Sequence, residues 1–295
     1  MAPGSRDALL DDAAARGLTI GAPRAWALEG GERAIDGEAL RASLWHEGYL
    51  ACAPVIPAAL VARCREAIEL VRAAGAPPLA AFAFDAPWEL AALLGQHARA
   101  AFAGEARLVP AFWAWRVDGD DGGAARGWDP HRDHTGLAID DAGRPQAIAL
   151  WVPLTEATAE NGCMYVVPAP WDPQYGNPRA SSEVMFVQAI RALPARPGAV
   201  LGWTSRLLHW GAMARPGSPP RLSISFEYQD AAAPPVEDEA LPLGWMPAVG
   251  ERRALIERQW TRHAHIHRGD DAQRAALFAV VDRLARGDAS VRAVG

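Results

Sequence analysis

The sequence predicts a mainly β domain with helices before and after it, and two observations support this prediction. Short runs of aromatic and β-branched residues, separated by Gly, Asp and Pro, fill the middle of the 295-residue chain. Apolar residues recur at helical spacing on both sides of this region. Several short strands with turns between them favour a barrel or a sandwich. We expect one domain over residues 1–295, with a helical part at 36–105, a β core at about 107–229 and a helical tail at 230–295.

The N-terminal third is predicted to be mostly helical. Residues 1–35 are rich in Ala, Gly and acidic residues and predict only a short strand at 18–20. The strongest helical pattern begins at Pro57, repeats apolar residues through Val71 and ends at Gly75. The other elements predicted here are helices at 36–45 and 88–99 and a short strand at 49–51. We expect these helices to cover one face of a sheet.

Strand patterns begin near residue 108 and continue to about residue 229. The predicted strands are 109–117, 147–154, 164–167, 185–190, 199–203 and 221–228. Asn161-Gly162 is a turn-forming dipeptide, and it predicts a hairpin between the second and third of these strands. Beyond Gln229, a stretch of Pro and acidic residues precedes helix patterns at 252–261 and 272–286.

The charge and the cysteine content exclude several classes of function. The net charge is −6 and no basic stripe is present, so we expect no nucleic-acid partner. The chain has no lysine, which excludes Schiff-base and P-loop lysine mechanisms. Cys52, Cys64 and Cys163 are too widely spaced for a disulfide framework or a C-x-x-C metal site. With no signal-peptide pattern and no apolar run of about 20 residues, the sequence predicts a cytoplasmic protein without a membrane partner.

Three residues form a candidate metal site. His131 and Asp133 are separated by one residue, so on a strand both side chains would leave the same face. A second histidine, His209, lies far downstream. Two imidazoles and one carboxylate suit the facial triad of non-haem Fe(II) oxygenases, which leaves coordination positions open. His134 would lie on the opposite face and is expected to pack or to support the site.

The strand predicted to begin at Arg221 has one apolar and one polar face. Its apolar residues Leu222, Ile224 and Phe226 alternate with Arg221, Ser223, Ser225 and Glu227. The second set is too polar for a packed core and suits the inside of a barrel that holds a polar ligand. A guanidinium at Arg221 can hold a dicarboxylate by a bidentate fork. Arg215 is the alternative residue for this role.

Motifs around these residues resemble those of a known enzyme family. Three segments carry the likeness beside the His131-x-Asp133 pair, His209 and Arg221: Glu47-Gly48-Tyr49-Leu50, Asn161-Gly162-Cys163-Met164-Tyr165-Val166-Val167-Pro168 and Arg196-Pro197-Gly198-Ala199-Val200-Leu201. They resemble the D/E-G-Y-L/V signature, the N-G-C-L-x-x-x-P hairpin and the Gly-containing strand of the phytanoyl-CoA dioxygenase family of Fe(II)/2-oxoglutarate oxygenases. The resemblance spans roughly residues 44–228. The chain departs from the family where Pro168-Ala169-Pro170-Trp171 replaces P-G-S-H, and where the stretch from His209 to Arg221 is slightly longer.

The resemblance implies a double-stranded β-helix (jelly roll, cupin-like) core that carries an Fe(II)/2-oxoglutarate-dependent dioxygenase site. It implies that His131, Asp133 and His209 bind Fe(II). It also implies that Arg221 holds the far carboxylate of 2-oxoglutarate. Such an enzyme consumes O₂ and 2-oxoglutarate, releases succinate and CO₂ and oxidises a small-molecule substrate.

Further implications concern the pocket and the outcome of the reaction. Ser223 would add a hydroxyl contact to the cosubstrate, and Trp151 would line the cosubstrate or substrate pocket. In related halogenases chloride takes the place of the carboxylate ligand, so the presence of Asp133 favours hydroxylation. The substrate is left open by the family: it could be a free metabolite, or one linked to CoA or to a carrier protein. The sequence leaves the oligomeric state undefined.

Two alternatives to a 2-oxoglutarate-dependent oxygenase are compatible with the same residues. One is a metal-dependent cupin-like isomerase or lyase that uses the three ligands without 2-oxoglutarate. The other is a non-catalytic barrel that binds a small metabolite.

Aromatic and histidine residues outside the motifs provide further candidates. Trp128 and Trp210, which lie next to the metal motifs, could wall the pocket, and the strand that carries Trp113, Trp115 and Arg116 could contribute a pocket residue. His263, His265 and His267 form an H-x-H-x-H tract that we interpret as a surface feature in a helix, where only His263 and His267 would share a face.

Overall fold

The structure is a computed structural model that describes residues 7–21, 35–120, 127–133, 139–140, 142–177, 182–183, 186–235, 240–263 and 270–286. Within these ranges the α-helices are α1 (Ala8–Ala15), α2 (Gly37–Glu47), α3 (Ala58–Ala73), α4 (Asp85–Phe102), α5 (Val249–Arg262) and α6 (Asp271–Ala285). The strands are β1 (Tyr49–Cys52), β2 (Ala106–Val117), β3 (Ala147–Pro153), β4 (Met164–Val167), β5 (Arg191–Leu193), β6 (Val200–Thr204), β7 (Leu208–Gly211), β8 (Arg221–Asp230) and β9 (Leu241–Pro242). Short 3-10 helices occur at Pro78–Ala83, Ala169–Trp171 and Val187–Ala189.

The strands form two antiparallel sheets. The larger sheet has the order β1-β6-β3-β8-β2-β9, and the smaller has the order β5-β4-β7. Consecutive strands repeatedly leave one sheet and enter the other, as β6 and β7 do, which is the chain path of a jelly roll. The sheet-rich core with flanking helices confirms the predicted fold class.

Strand β8 lies in the middle of the larger sheet and separates the core from the interior of the barrel. It pairs with β3 on one side and with β2 on the other. Its residues Leu222, Ile224 and Phe226 join the main hydrophobic core. Because side chains alternate along a strand, Arg221 and Ser225 face the opposite side, toward the smaller sheet. This is the division into two faces that the sequence pattern predicts.

Helices cover the outer face of the larger sheet. The 3-10 helix at Pro78–Ala83 places Phe82 against Phe112 of β2 at a ring-centroid distance of 4.3 Å, and Phe82 also meets Phe226 of β8 at 5.6 Å. Tyr228 of β8 donates a 2.6 Å hydrogen bond to the Ala91 carbonyl of α4. These contacts explain why the helical patterns of the N-terminal third are so apolar. In the described ranges no helix has the combination of length and apolar character that crossing a membrane requires.

A buried ion pair fixes the C-terminal helix α5 to this layer. Arg252 is fully buried and lies 2.7 Å from Asp85 at the start of α4. It also donates hydrogen bonds to the carbonyls of Pro247 (2.7 Å) and Ala83 (2.9 Å). Asp85 in turn accepts a hydrogen bond from Thr19. The Arg252–Asp85 ion pair and its hydrogen bonds therefore join α5, α4 and the segment after α1.

Most predicted elements are present with small shifts of their ends, but two assignments are wrong. No strand occurs at 18–20, and the nearest element is α1, which the sequence interpretation missed. The described part of the predicted strand at 185–190 contains a 3-10 turn at Val187–Ala189, and the strand β5 follows it. Strands β7 and β9 were also missed, and the two residues of β9 are too few to show an alternating pattern.

The hairpin predicted at Asn161-Gly162 is also wrong, although the turn itself forms. Gly162 has φ +85°, and a Cβ there would lie 2.3 Å from the Ala212 carbonyl oxygen. The Asn161 side chain accepts a 2.7 Å hydrogen bond from the Thr158 N–H and donates one of 2.8 Å to the Glu156 carbonyl. Strand β3 belongs to the larger sheet and β4 to the smaller. The turn therefore carries the chain from the larger sheet to the smaller one, and β3 and β4 do not pair with each other.

Candidate functional site

The structure brings His131, Asp133 and His209 together inside the barrel. His209 lies in β7, and His131 exchanges two backbone hydrogen bonds of 3.0 Å with it. His131 thus forms an isolated bridge and not the longer strand that the sequence interpretation assumed. The Nε2 atoms of His131 and His209 lie 3.5 and 3.6 Å from Oδ1 of Asp133. One donor atom from each residue lies within 4.8 Å of the others, so the three can hold a metal ion together.

Hydrogen bonds behind the three donors orient them toward a common point. Nδ1 of His131 lies 2.8 Å from the Asp129 carbonyl, and Nδ1 of His209 lies 3.0 Å from the Leu207 carbonyl. Carbonyl oxygens accept only, so each Nδ1 is the donor in its hydrogen bond and each ring turns its Nε2 toward Asp133. The indole N–H of Trp203 donates a 3.0 Å hydrogen bond to Oδ2 of Asp133. Oδ1 therefore remains directed at the two imidazoles.

The electrostatics of the cluster also suit a cation. Burial lowers the pKa of His209 to about 4, so its imidazole is neutral at neutral pH and available as a ligand. Burial would raise the pKa of Asp133, but the neighbouring His209, His131 and Trp203 outweigh it and hold that pKa well below its usual range. The cluster therefore presents a negative charge at Asp133 beside a neutral imidazole at His209, which suits a divalent metal.

A buried ion pair holds the backbone that carries His131 and Asp133. The intervening Arg132 points away from them and lies 2.6 Å from Asp172, with both side chains almost fully buried. Arg132 also donates a 2.5 Å hydrogen bond to the Arg206 carbonyl. The segment is therefore anchored on the side opposite the metal donors. His134 lies outside the described residues.

Arg221 is a buried cation beside the same cavity. It is 2% exposed, its Nη1 donates to the Ser223 hydroxyl at 3.3 Å, and its guanidinium lies 5.5 Å from the ring centre of Trp151. Burial lowers its pKa to about 10, so it is still protonated at neutral pH. Its Nε has no hydrogen-bond partner among the residues described, and no carboxylate described here forms an ion pair with it.

The surroundings of Arg221 leave room for an anion. A Cβ at Gly211 would lie 3.3 Å from Nη2 of Arg221, so glycine allows the guanidinium to approach β7 closely. The alternative residue, Arg215, is 75% exposed and faces Glu160 at 3.8 Å on the surface. The structure therefore favours Arg221 over Arg215 as an internal anion-binding residue.

The three metal donors and Arg221 line one cavity of about 150 Å³. Trp151, Trp113, Trp115 and Trp128 contribute to its walls. Trp113 and Trp115 show that the odd-numbered residues of this part of β2 face inward. Arg116 faces away and is paired with Asp118.

Other sequence candidates lie elsewhere or were misjudged. Trp210 stacks on Tyr165 at 5.8 Å and does not line the described cavity, because it alternates with His209 along β7. His263 follows α5 and lies 5.0 Å from Trp113 at the cavity, so the interpretation of this histidine as a surface feature is wrong. His265 and His267 lie outside the described residues.

Trp203 and Gln259 are among the cavity residues that sequence reasoning missed. Trp203 was not considered, although it lies in the predicted strand that leads to His209. Gln259 of α5 lines the cavity from a helix far from the motifs in sequence. Nothing in the local pattern around Gln259 distinguishes it from an ordinary helical residue.

The fold and the site together define a cupin-like barrel with an internal His-Asp-His cluster that could hold a metal ion. A family model narrows this class: residues 45–217 match the model for phytanoyl-CoA dioxygenase (PhyH). The match covers more than half of the chain, and the protein therefore belongs to the phytanoyl-CoA dioxygenase family. The match contains all three metal donors, whereas Arg221 and α5 lie beyond it. No curated protein sequence gives a significant match.

Solved structures of similar fold support the same architecture. The epimerase SnoN, in a complex with Fe³⁺, alpha ketoglutarate and nogalamycin RO, is 21% identical with a TM-score of 0.51, over 70% of this chain and 95% of that one. The non-heme monooxygenase ThoJ, in a nickel complex, is 14% identical with a TM-score of 0.54, over 77% and 99%. The carbocyclase SnoK from nogalamycin biosynthesis is 18% identical with a TM-score of 0.51, over 71% and 90%. These likenesses establish the fold.

Proposed function

We propose that this protein is an Fe(II)/2-oxoglutarate-dependent dioxygenase that hydroxylates a small-molecule substrate. One observation carries the proposal: a buried arginine without an anionic partner among the described residues shares a cavity with a convergent His-Asp-His cluster. Membership of the phytanoyl-CoA dioxygenase family supports it. The similar structures support it as well, since SnoN is a complex with alpha ketoglutarate and ThoJ and SnoK are described as non-heme enzymes.

The residues of the site fit both proposed groups. His131, Asp133 and His209 would hold Fe(II), since two imidazoles and one carboxylate leave three coordination positions open. Arg221 would hold the far carboxylate of 2-oxoglutarate, with Ser223 beside it and Trp151 against the guanidinium. When bound, iron and 2-oxoglutarate supply the oxidising chemistry, which consumes O₂, releases succinate and CO₂ and oxidises a substrate C–H bond.

The chain contributes position, charge and exclusion of water. Trp203 fixes the Asp133 carboxylate, and the carbonyls of Asp129 and Leu207 fix the two imidazoles. The tryptophan-rich walls keep the cavity apolar, which strengthens the attraction between Arg221 and a bound carboxylate. Asp133 would occupy the position that chloride takes in halogenases, which favours a hydroxylated product.

The proposed partner is a small molecule, either free or linked to CoA or a carrier protein. Some similar structures are named as an epimerase and a carbocyclase. Because such enzymes give different products, the proposed hydroxylation is tested by mass spectrometry of the product formed under ¹⁸O₂ with chloride present. One incorporated oxygen atom supports hydroxylation, allowing for some exchange of oxygen with water. A product two hydrogens lighter and without label, or a chlorinated product, contradicts it.

The cofactor assignment is tested by anaerobic Fe(II) titration and by succinate formation from 2-oxoglutarate. We expect wild-type protein to bind one iron and to form succinate slowly, and faster with substrate. His131→Ala and His209→Ala should lose iron binding and turnover while keeping the circular-dichroism spectrum. His46→Ala, in α2 and outside the cavity, is the matched control and should retain both.

Specific results would favour the alternatives. Iron bound in full by both cavity variants would contradict the assignment of the metal donors. Turnover of a substrate without 2-oxoglutarate would favour the cupin-like isomerase or lyase. Metabolite binding with neither iron nor 2-oxoglutarate binding would favour a non-catalytic barrel.

A further inference from the structure

Beside the proposed iron and 2-oxoglutarate positions, the cavity has an aromatic wall. Trp113 and Trp115 of β2 have ring centres 5.6 Å apart, and the Trp128 ring lies nearly perpendicular to that of Trp115 at 5.0 Å. Trp128 also approaches the His131 imidazole at a centroid distance of 5.4 Å. A substrate placed at the metal donors would therefore lie against indole rings, which favour stacked or edge-on contacts with other rings.

Gln259 places one polar acceptor beside this aromatic wall. The residue lies in α5, lines the cavity and is 3% exposed. Its side-chain oxygen Oε1 has no hydrogen-bond partner in the described part of the chain. A buried acceptor without a donor is destabilising, so a donor supplied by a bound molecule would remove that cost.

The position of Gln259 is also well defined. Its helix is held at the N-terminal end by the Arg252–Asp85 pair, and Ile256 and Trp260 on either side of Gln259 are buried. At the C-terminal end His263 donates its N–H to the Gln259 carbonyl and packs against Trp113. Gln259 is therefore held at the cavity by a packed helix and is not a loose surface side chain.

We propose that Trp113, Trp115, Trp128 and Gln259 form the substrate subsite. Its ligand is a flat, ring-bearing small molecule with a hydroxyl or N–H group that donates a hydrogen bond to Gln259 Oε1. The inference rests on the proposed function, because it takes the rest of the cavity for iron and 2-oxoglutarate. It assigns substrate choice to α5, an element outside the segment that matches the family model.

Two probes that differ only in the donor test this subsite. 2-Naphthol has a hydroxyl group, whereas 2-methoxynaphthalene has the same rings and no donor. Their affinities for the full chain are measured by equilibrium dialysis under argon, with and without added Fe(II) and 2-oxoglutarate, so that no turnover is needed. We expect wild-type protein to bind 2-naphthol roughly tenfold more tightly, the value of one ordinary hydrogen bond.

Variants separate the two parts of the subsite. Gln259→Leu and Gln259→Met should bring the affinity ratio of the two probes close to one. Trp115→Leu should weaken both probes by roughly two- to tenfold, the usual range for an aromatic contact, and keep their ratio. Gln273→Leu makes the same change at an exposed position of α6 and should alter neither probe. Circular dichroism checks that each variant is folded.

The results that overturn the inference differ from those that overturn the proposed function. A ratio that persists in a folded Gln259 variant removes the role of Gln259. Failure of wild-type protein to bind 2-naphthol, or unchanged binding in Trp115→Leu, removes the aromatic subsite. 2-Oxoglutarate binding is scored separately by dialysis with the labelled compound, so its absence would contradict the proposed function while the naphthol ratio still reports on Gln259.

Discussion

Two buried arginines in this molecule have opposite surroundings. Arg252 donates to one carboxylate and two carbonyls at 2.7–2.9 Å, between α5 and the start of α4. Arg221 is almost as deeply buried, but its one described hydrogen bond goes to a serine hydroxyl, and its Nε has none in the described ranges. Burying a charge without a partner is unfavourable. The difference favours a structural role for Arg252 and supports the proposed role of Arg221 as the residue that holds a ligand anion.

The largest expected effect is the loss of folding stability on substitution of Arg252. Arg252→Met would leave the buried Asp85 carboxylate without its cation, so the free energy of unfolding should fall by about 3–5 kcal/mol. Urea unfolding followed by circular dichroism measures this. Arg253→Met is the control, because Arg253 is 39% exposed and its pairs with Glu257 and Asp282 lie at the surface. Equal losses in the two variants would contradict the role given to burial.

Arg221→Ala should give the reverse result. Loss of the charged partner should weaken 2-oxoglutarate binding by about 2–5 kcal/mol, or roughly 30- to 5,000-fold. The free energy of unfolding without ligand should change little or rise, since an uncompensated buried charge is removed. Arg215→Ala is the matched control and should bind 2-oxoglutarate normally. If the weakening follows Arg215 instead, the assignment of the anion site is wrong.

Ligand-linked stability sharpens the comparison further. A ligand at 100 times its dissociation constant stabilises a folded protein by about 2.7 kcal/mol. Added to the iron-loaded protein, 2-oxoglutarate should therefore stabilise the wild type and Arg252→Met by a similar free energy and raise both melting temperatures. Arg221→Ala, which keeps the three iron-binding candidates, should show little further rise. Differential scanning fluorimetry under argon measures this. An increment lost in Arg252→Met would mean that the two regions are coupled.

A smaller effect is expected from the hydrogen bond behind Asp133. Trp203→Phe keeps the ring but removes the N–H that lies 3.0 Å from Asp133 Oδ2. Loss of such an outer contact typically weakens metal binding by about 10–100-fold. Competition for Fe(II) against a chelator measures the change. The matched variant Trp210→Phe alters a tryptophan outside the described cavity and should bind iron as wild type does.

The smallest effect should come from Ser223. Its hydroxyl accepts the described hydrogen bond from Arg221, and removal in Ser223→Ala should change 2-oxoglutarate affinity by about 0.5–1.5 kcal/mol. Equilibrium dialysis resolves a change of this size. Ser43→Ala in α2 removes a comparable hydroxyl, which donates to the Tyr49 carbonyl, and should leave the affinity unaltered. If Ser223→Ala weakened 2-oxoglutarate binding as much as Arg221→Ala does, Arg221 would not be the main contact and the assignment would be wrong.

The sequence was informative where a local pattern determines the geometry. Alternation along β8 predicted that Arg221, Ser225 and Glu227 lie on the face opposite Leu222, and these three residues line the cavity. The family motifs predicted that His131, Asp133 and His209 converge, although they belong to two distant segments. Both predictions depend on short-range rules or on a resemblance, and the structure brings these residues together.

Long-range contacts were not predictable in the same way. Arg252 and Gln259 lie seven residues apart on the same face of one helix, and only the packing of α5 shows that the first meets Asp85 and the second meets the cavity. The Asn161-Gly162 turn was located correctly, but the local sequence does not show which of the two sheets the next strand joins. Sheet assignment is set by pairing with residues far away in the chain.

That turn also has a consequence for the chemical lifetime of the protein. Asn-Gly pairs in flexible peptides readily lose ammonia, because the glycine N–H can attack the asparagine side-chain carbonyl, and asparagine is among the heat-labile residues. Asn161 is 3% exposed, and its amide is held from both ends by Thr158 and Glu156. The folded chain therefore protects its own most labile dipeptide. Conversion of Asn161 to aspartate, detected by peptide mapping, should record how long a sample has spent unfolded.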